Sequence, residues 1–496
     1  MLGAKPLSTA LGLALAFGGY VAGRFGLQLE GAAAVTAATT LLCAVWWCTE
    51  AVPIPVTSLV PFVVFPLAGV LDHEQLASAW GDKFILLFMG GFMISRAAEK
   101  SRAHLRVADA LIRLVGTRSD RRIVVGFLLT TALCSMWISN TATALILLPV
   151  AAAVIQSKPG NARFAVSLLL AIAYGASIGG MATLIGTPPN GVMVSVYEQQ
   201  SGRSIDFLSW MQIGVPVSAL MLVGCGALLV APLQRGGGYR ASELGPWTAA
   251  QRRVLGVLVV TAGLWVTRRL PFGWGGWSVW LGMPKAHDAT VALLAVLALF
   301  LIPSGPSNEA GERDTLLDWR TARDIPWGIL LLFAGGLAIA KAFESSGLAA
   351  RVGAALEAVT AGLHPLLVIG LICLTVTFTT EVTSNTATTT LLMPILAAAA
   401  VAAGVDAALF MIPAALSASC AFMLPVATPP NAIVFGGSER ITIATMVRHG
   451  LWLNLIGVLV ITLVCYFALD PETGLGGVAP APSPTAACRH SSTGPR

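Results

Sequence analysis

The chain is apolar in long blocks separated by short polar, glycine-rich or proline-rich joints. A helix needs roughly 20 apolar residues to cross the hydrocarbon core of a bilayer. Blocks of that kind run over 8–28, 33–52, 54–71, 82–100, 164–199, 207–231, 251–268, 288–303, 326–345, 407–436 and 446–469, which predicts eleven crossing helices. Two further blocks, 122–157 and 363–402, carry a Ser-Asn-Thr cluster at mid-length, where a simple span is most apolar. Each is long enough for two short helical legs meeting at a polar tip. Irregular backbone at membrane depth is tolerated only where protein or a water-filled cavity surrounds it. The pattern therefore predicts an all-α polytopic membrane protein of about eleven transmembrane helices plus two re-entrant hairpins.

The blocks repeat. FILLFMGGFMISRAAEK at 84–100 matches ILLLFAGGLAIAKAFES at 329–345, and SMWISNTATALILLPV at 135–150 matches TEVTSNTATTTLLMPI at 380–395, both at an offset of 245. GTPPN at 186–190 matches ATPPN at 427–431 at an offset of 241. Three motifs in one order at a near-constant offset define an internal repeat. By the span count five crossings separate the copies, so the second copy is inverted relative to the first. The expected organisation is a first transmembrane helix in 1–30, a first repeat in 31–232 with an inner hairpin at 122–157, and a cytoplasmic linker at 233–250. A second repeat follows in 251–469 with an outer hairpin at 363–402, then a disordered Pro/Ala/Ser-rich tail at 470–496. Inverted repeats place a binding site near the midplane, and Gly/Pro-interrupted segments at matching positions point to it.

Composition supports this class. Of 496 residues 56% are hydrophobic and only 11% charged, with a mean hydropathy of +0.79. A soluble domain carries about a quarter charged residues, so lipid is the solvent for most of these side chains. The net charge of +6 is concentrated in a few loops, which reads as topology and not as nucleic-acid binding. Threading the N-terminus inside puts Lys100, Arg102, Arg106, Arg113, Arg118, Arg121 and Arg122 in the cytoplasm, with Arg235, Arg240, Arg252, Arg253, Arg313, Arg320, Arg323, Arg440 and Arg448. Fewer positive charges, Arg203, Arg268, Arg269, Lys285 and Arg351, then fall outside, and the C-terminus is outside. The segment after Ser101 alternates basic and apolar residues and predicts an amphipathic helix on the inner surface. Eight scattered cysteines read as packing residues, and six histidines at loops or span ends offer neither a metal site nor a proton relay.

The chemistry lies in the four polar interruptions. At a hairpin tip, the ending helix offers free carbonyls to a cation, and the beginning helix offers free N–H groups and a positive dipole end to an anion. Asn, Ser and Thr add side-chain oxygens and donors. Proline breaks the TPPN helices, freeing the carbonyls of Gly186 and Ala427 as candidate cation ligands. No Arg or Lys lies in these segments, so bound cations and helix dipoles must neutralise an anionic ligand. Two tips and two breaks suit a dianion with two carboxylates. Glu381, four residues before the second Asn, lines the cavity or pairs within the hairpin. Glu50 and Asp288, near span ends, read as ion-path or packing-network groups, and Trp46, Trp47, Trp274, Trp277 and Trp280 as interface anchors.

These residues resemble the divalent anion:sodium symporter family over about 30–470, through the paired SNT motifs, GGMATLIGTPPN at 179–190 and CAFMLPVATPPNAIVFG at 420–436. The resemblance implies eleven transmembrane helices and two re-entrant hairpins in an inverted repeat, a homodimer in the bacterial plasma membrane, and an elevator-like motion. It implies a first sodium site of Ser135, Ser139, Asn140 and Gly186 and a second of Thr380, Thr383, Asn385 and Ala427. The substrate carboxylates would be held by Asn140 and Thr141 and by Asn385 and Thr386, flanked by Thr187, Thr428 and Pro429. Two or more Na⁺ would be the coupling ions. The expected function is sodium-coupled symport of a C4-dicarboxylate such as succinate, fumarate or malate. The alternatives are a dicarboxylate exchanger, a sulfate or citrate transporter of the same family, or a cation/proton antiporter. An antiporter would place an acidic residue at the core of its break. No nucleophile–base or metal constellation of a membrane enzyme is visible in the sequence.

Overall fold

Proline and polar residues decide where the apolar blocks become helices. In the computed structural model, residues 6–469 are described, apart from 117, 157, 159–160, 234–244, 271–273, 306–313, 361 and 439. The 470–496 tail, most of the 233–250 linker, and Arg235, Arg240 and Arg313 thus lie outside the described residues. The chain is all-α, and among the described residues nine helices are long and apolar enough to cross a membrane.

Several expected spans are interrupted. The 54–71 block forms Ile54–Thr57 and Val60–Leu67. Pro53, Pro55, Pro61 and Pro66 remove backbone donors there and confine helix to short pieces. The 164–199 block forms Ala162–Met181 and Pro188–Ser201, and the 407–436 block forms Ala408–Ala418 and Pro429–Gly436. Each gap precedes the paired prolines, where the residue before proline leaves α geometry: Thr187 sits at φ −143°, ψ 142° and Thr428 at φ −140°, ψ 149°. The 122–157 and 363–402 blocks fold as two legs each, Asp120–Ser135 with Asn140–Gln156 and Pro365–Thr379 with Asn385–Ala402.

Contacts sort the loops to two ends of the bundle. At one end Lys100 binds Asp318 at 2.6 Å and Asp314 at 3.0 Å, Arg106 donates to the Pro246 carbonyl, Arg253 to that of Pro303, and Arg121 to that of Leu233. At the other end Lys83 pairs with Glu198, Arg203 binds Asp406 at 2.5 Å, and the Phe207 N–H donates to Asp288. Asp120, adjoining Arg121, pairs with Lys158 and closes the base of the first hairpin at the Lys100 end. The second hairpin leads through Ala402 into Asp406 at the Lys83 end. The two hairpins therefore open in opposite directions.

The core is built by close backbone approach. A methyl group on Gly179 would stand 2.1 Å from the Ala132 carbonyl oxygen, and one on Gly175 2.9 Å from that of Leu128. The helix Ala162–Met181 can lie this close to the first hairpin leg only with small residues at the contact. The segment after Ser101 forms the expected helix, Ala103–Val115, which packs on the same leg. Arg268, expected in an outer loop, is instead 2% exposed and bound to the fully buried Asp288 at 2.5 Å. A buried carboxylate needs such a partner, so Asp288 belongs to a packing network.

Candidate substrate and cation site

The two hairpin tips and the two proline breaks meet in one cavity of about 1760 Å³. Its walls include Ser139, Asn140, Thr141, Gly186, Thr187, Thr383, Ser384, Asn385, Thr386, Ala427, Thr428 and Pro429. Asn140 and Asn385 each begin the second leg of their hairpin, and Thr187 and Thr428 occupy the N-cap positions of the helices that begin at Pro188 and Pro429. Four helix N-termini thus face one space. Their unpaired N–H groups and dipoles favour negative charge there.

Behind the tips lie the oxygens expected at the two cation sites. Ser135 Oγ donates to Asn140 Oδ1 at 2.6 Å, and Thr380 Oγ1 donates to Asn385 Oδ1 at 2.7 Å. Residues paired at the offset of 245 thus make the same bond in both halves. Ser135 and Thr380 are fully buried and lie behind the cavity wall. Ser139 Oγ accepts from the Ala142 N–H at 3.2 Å and Ser384 Oγ from the Ala387 N–H at 3.5 Å, each capping the leg that begins at the Asn. Thr383 Oγ1 reaches the Thr379 carbonyl at 2.9 Å and the Thr388 hydroxyl at 2.6 Å. A Cβ built on Gly180 would meet Asn140 Oδ1 at 2.8 Å and the Gly186 carbonyl oxygen at 3.2 Å. Glycine at 180 lets two of the expected first-site oxygens border the same small space. Neutral oxygens of this kind are the ligands a hard cation takes.

Two groups of residues beyond the expected site hold the breaks open. Asn190 Nδ2 donates to the carbonyls of Gly180 at 3.1 Å and Thr183 at 2.8 Å. Asn431 Nδ2 does the same to Ala421 and Leu424, both at 3.0 Å. The partners correspond at the offset of 241 throughout. The last letter of TPPN was the visible signal: an amide repeated beside carbonyls that proline leaves free. Glu381 resolves as a positioning group. Its Oε1 accepts from the N–H groups of Phe422 at 2.7 Å and Met423 at 2.9 Å and from Asn454 Nδ2 at 2.7 Å, while Oε2 accepts from Leu424 N–H at 3.0 Å. In the first half the corresponding tie is neutral, Thr183 Oγ1 to the Met136 carbonyl at 2.6 Å.

The cavity opens toward the Lys100 end. Glu50, Arg96, Glu99, Arg102 and Asp324 line it there, with Arg96 bound to Glu99 at 2.6 Å. Glu50 is therefore a cavity-mouth residue. None of Lys83, Glu198, Arg203 and Asp406 reaches the cavity. Among the described residues no cluster of His, Cys, Asp and Glu could hold a metal ion.

A helical bundle with broken helices converging on one polar cavity is the architecture of a membrane transporter. Residues 26–468 match the model of the sodium:sulfate symporter transmembrane region, and the chain belongs to this family, the divalent anion:sodium symporters. It is 41% identical over 466 residues to the sodium-dependent dicarboxylate transporter SdcS of Staphylococcus saprophyticus, covering 90% of this chain and 88% of that one. To SdcS of Staphylococcus aureus it is 40% identical over 467 residues, with the same coverage. Among solved structures, the YdaH transporter of Alcanivorax borkumensis superposes with a TM-score of 0.58 at 16% identity, over 86% of this chain and 97% of that one. MtrF of Neisseria gonorrhoeae gives 0.55 at 11% identity, over 82% and 85%. At such identities these two share the fold. The protein is a transporter, not an enzyme.

Proposed function

We propose that the protein carries a C4-dicarboxylate such as succinate, fumarate or malate into the cell together with two or more sodium ions. The carrying observation is the convergence of four helix N-termini and two oxygen-rich tips on one cavity whose tips and breaks hold no Lys or Arg. Two carboxylates match two tips. Cations on the oxygens of Ser139, Asn140 and Gly186, and of Thr383, Asn385 and Ala427, supply the balancing charge. Asn140, Thr141, Thr187, Asn385, Thr386, Thr428 and Pro429 hold the anion. Ser135 and Thr380 orient the two Asn amides from behind. The name and identity of the SdcS relatives support the same substrate class.

In this reading the two oppositely opening hairpins belong to an inverted-topology repeat, and the site moves across the bilayer in an elevator-like step. The protein works as a homodimer in a bacterial plasma membrane, with its N-terminus and its Lys100 end in the cytoplasm. Each net positive charge carried inward gains about 2.3 kcal/mol per 100 mV of membrane potential, so sodium in excess of the anion charge concentrates the substrate.

The test is uptake of radiolabelled succinate into proteoliposomes, with and without an inward sodium gradient and an imposed potential. Sodium-dependent uptake enhanced by an inside-negative potential is the expected result. Uptake that needs internal dicarboxylate and not sodium would replace symport by exchange. Absence of succinate flux with intact sulfate flux would move the substrate class.

A further inference from the structure

The two hairpin tips are braced in different ways. On the first, the ring of Trp137 stacks on Trp265, with centroids 6.4 Å apart and planes at 5°, and on Phe207 at 6.0 Å and 23°. At the offset of 245 Trp137 corresponds to Val382, which is 66% exposed and faces the cavity. One position earlier, Met136 corresponds to Glu381, so the second tip carries a carboxylate where the first carries a thioether.

The helices beside the two tips also end differently. At the offset of 241 Met181, the last residue of Ala162–Met181, corresponds to Phe422. The helix of the second half stops at Ala418, about one turn short of that point. The N–H groups that follow turn to Glu381: Phe422 and Met423 donate to Oε1 at 2.7 and 2.9 Å, and Leu424 to Oε2 at 3.0 Å. In the first half Ala182, the counterpart of Met423, keeps its N–H on the Gly179 carbonyl at 3.1 Å. Glu381 is 4% exposed, and its fourth donor, Asn454 Nδ2, is as neutral as the other three. A carboxylic acid would need an acceptor for its proton, whereas a ring of donors suits the ionised group. Neutral donors hold that charge without cancelling it.

The unwound turn joins this carboxylate to the second set of expected cation ligands. Thr380, which adjoins Glu381, donates to Asn385 Oδ1 at 2.7 Å and to the Ala418 carbonyl at 3.0 Å. Leu424, whose N–H Glu381 takes, accepts the Ala427 N–H on its carbonyl at 3.2 Å. The hydrogen bonds of Glu381 reach none of Ser135, Ser139, Asn140 and Gly186.

We propose that Glu381 makes the two sodium sites unequal. Its buried charge tightens the second site, of Thr380, Thr383, Asn385 and Ala427, over the first, so the second fills first and empties last. Glu381 is a positioning residue here: it acts through its field and through the turn it holds open, not as a ligand. A unit charge about 10 Å from a bound cation, at an effective dielectric constant of about 20, changes its affinity roughly 10- to 20-fold. The inference rests on the sodium-coupled reading and is independent of which anion is carried.

Equilibrium binding of radiolabelled sodium to the purified protein, without substrate, tests it. Asn140→Ala leaves the second site and Asn385→Ala the first, and the second is expected to bind sodium ~10-fold more tightly. Glu381→Gln added to Asn140→Ala should weaken binding ~10-fold, and added to Asn385→Ala should change it less than ~2-fold. Glu381→Asp, which keeps the charge, should retain most of the affinity in the Asn140→Ala protein. Equal affinities in the two Asn variants overturn the proposal, and that comparison needs no change at Glu381, so it decides the matter even where Glu381→Gln does not fold. Equal losses in Glu381→Gln and Glu381→Asp also overturn it, since they would make the role purely structural. Equal affinities leave the two sodium sites standing. Binding lost in both Asn variants overturns the proposal, and absence of binding in the wild type overturns the sodium sites with it.

Discussion

At the residue scale the site is a set of short polar side chains whose value comes from where the backbone is interrupted. Asn140 and Asn385 each put an amide oxygen beside a buried hydroxyl and an amide NH₂ within a helix N-terminus. Asn140→Ala and Asn385→Ala each remove a proposed cation ligand and leave Ser135 or Thr380 without its Asn acceptor. Hydrogen bonds to charged groups contribute roughly 1.5–3 kcal/mol, so sodium-dependent uptake should fall by about 10- to 100-fold in each variant while gel filtration still shows a folded protein. Wild-type uptake in both would remove the two Asn residues from the site. Glu381 makes a second prediction at this scale. Glu381→Gln turns one acceptor into a donor among four donors, and loss of about 3 kcal/mol is expected for breaking a buried charge network. Asn454→Ala deletes one of the four and should cost less. Thermal melts of both proteins in detergent, with sodium titrations of uptake, measure the order. Both Asn residues were legible in the sequence because SNT stands out in an apolar block and recurs. Glu381 was visible but not its role, since its partners at 422–424 and 454 are brought to it only by tertiary folding.

At the element scale, helix ends matter more than helices. The TPPN breaks were legible because two adjacent prolines admit few other outcomes, and the tips because polar residues at mid-span require a turn. The division of 54–71 into two short helices was equally encoded in its prolines, but the hydropathy of the block hid it. Asn190 was visible as the repeated last letter of TPPN, but its two carbonyl acceptors came into reach only on folding. One helix end carries a pH prediction. His287 caps Asp288–Leu301 by accepting the Ala289 N–H on Nδ1 at 3.2 Å, a role that needs the neutral ring. Burial, reinforced by the charges of Lys83, Arg268 and Arg269, pushes its pKa from 6.5 down to about 3. The unfolded chain takes up a proton below about 6.5 and the folded one only near 3. The contribution to stability is thus complete above 6.5 and is lost progressively as pH falls through that window. The melting temperature should therefore drop between pH 7 and pH 5, and His287→Asn, which keeps a cap acceptor without a titrating ring, should show a shallower drop. Equal slopes in the two proteins would assign the pH dependence to other groups.

At the scale of the whole molecule the two halves share chemistry but not state. The same Ser/Thr–Asn bond and the same Asn-to-carbonyl ties recur in each, yet one tip is stacked and the other faces open space. The sequence contains the symmetry in its offsets of 245 and 241. It does not contain this difference in state, because both tips are written in nearly the same letters and packing decides which one is stacked. Symmetry nonetheless fixes a topological prediction that no single contact carries. Lys100 and Arg106 lie at the end where Asp318, Pro246 and Arg253 gather. From Arg102 to Arg440 the expected threading makes an even number of crossings, with each hairpin returning to the side it left. Arg102 and Arg440 must then face the same compartment. Single cysteines at each position, Arg102→Cys and Arg440→Cys with Cys48 and Cys488 replaced by Ser, should label from one face of oriented vesicles with an impermeant maleimide. That face should also be the one from which Arg253→Cys is labelled. If Arg440→Cys reacts only from the face opposite to Arg102→Cys, one hairpin crosses the bilayer instead of returning, and the inverted repeat with its shared midplane site fails with it.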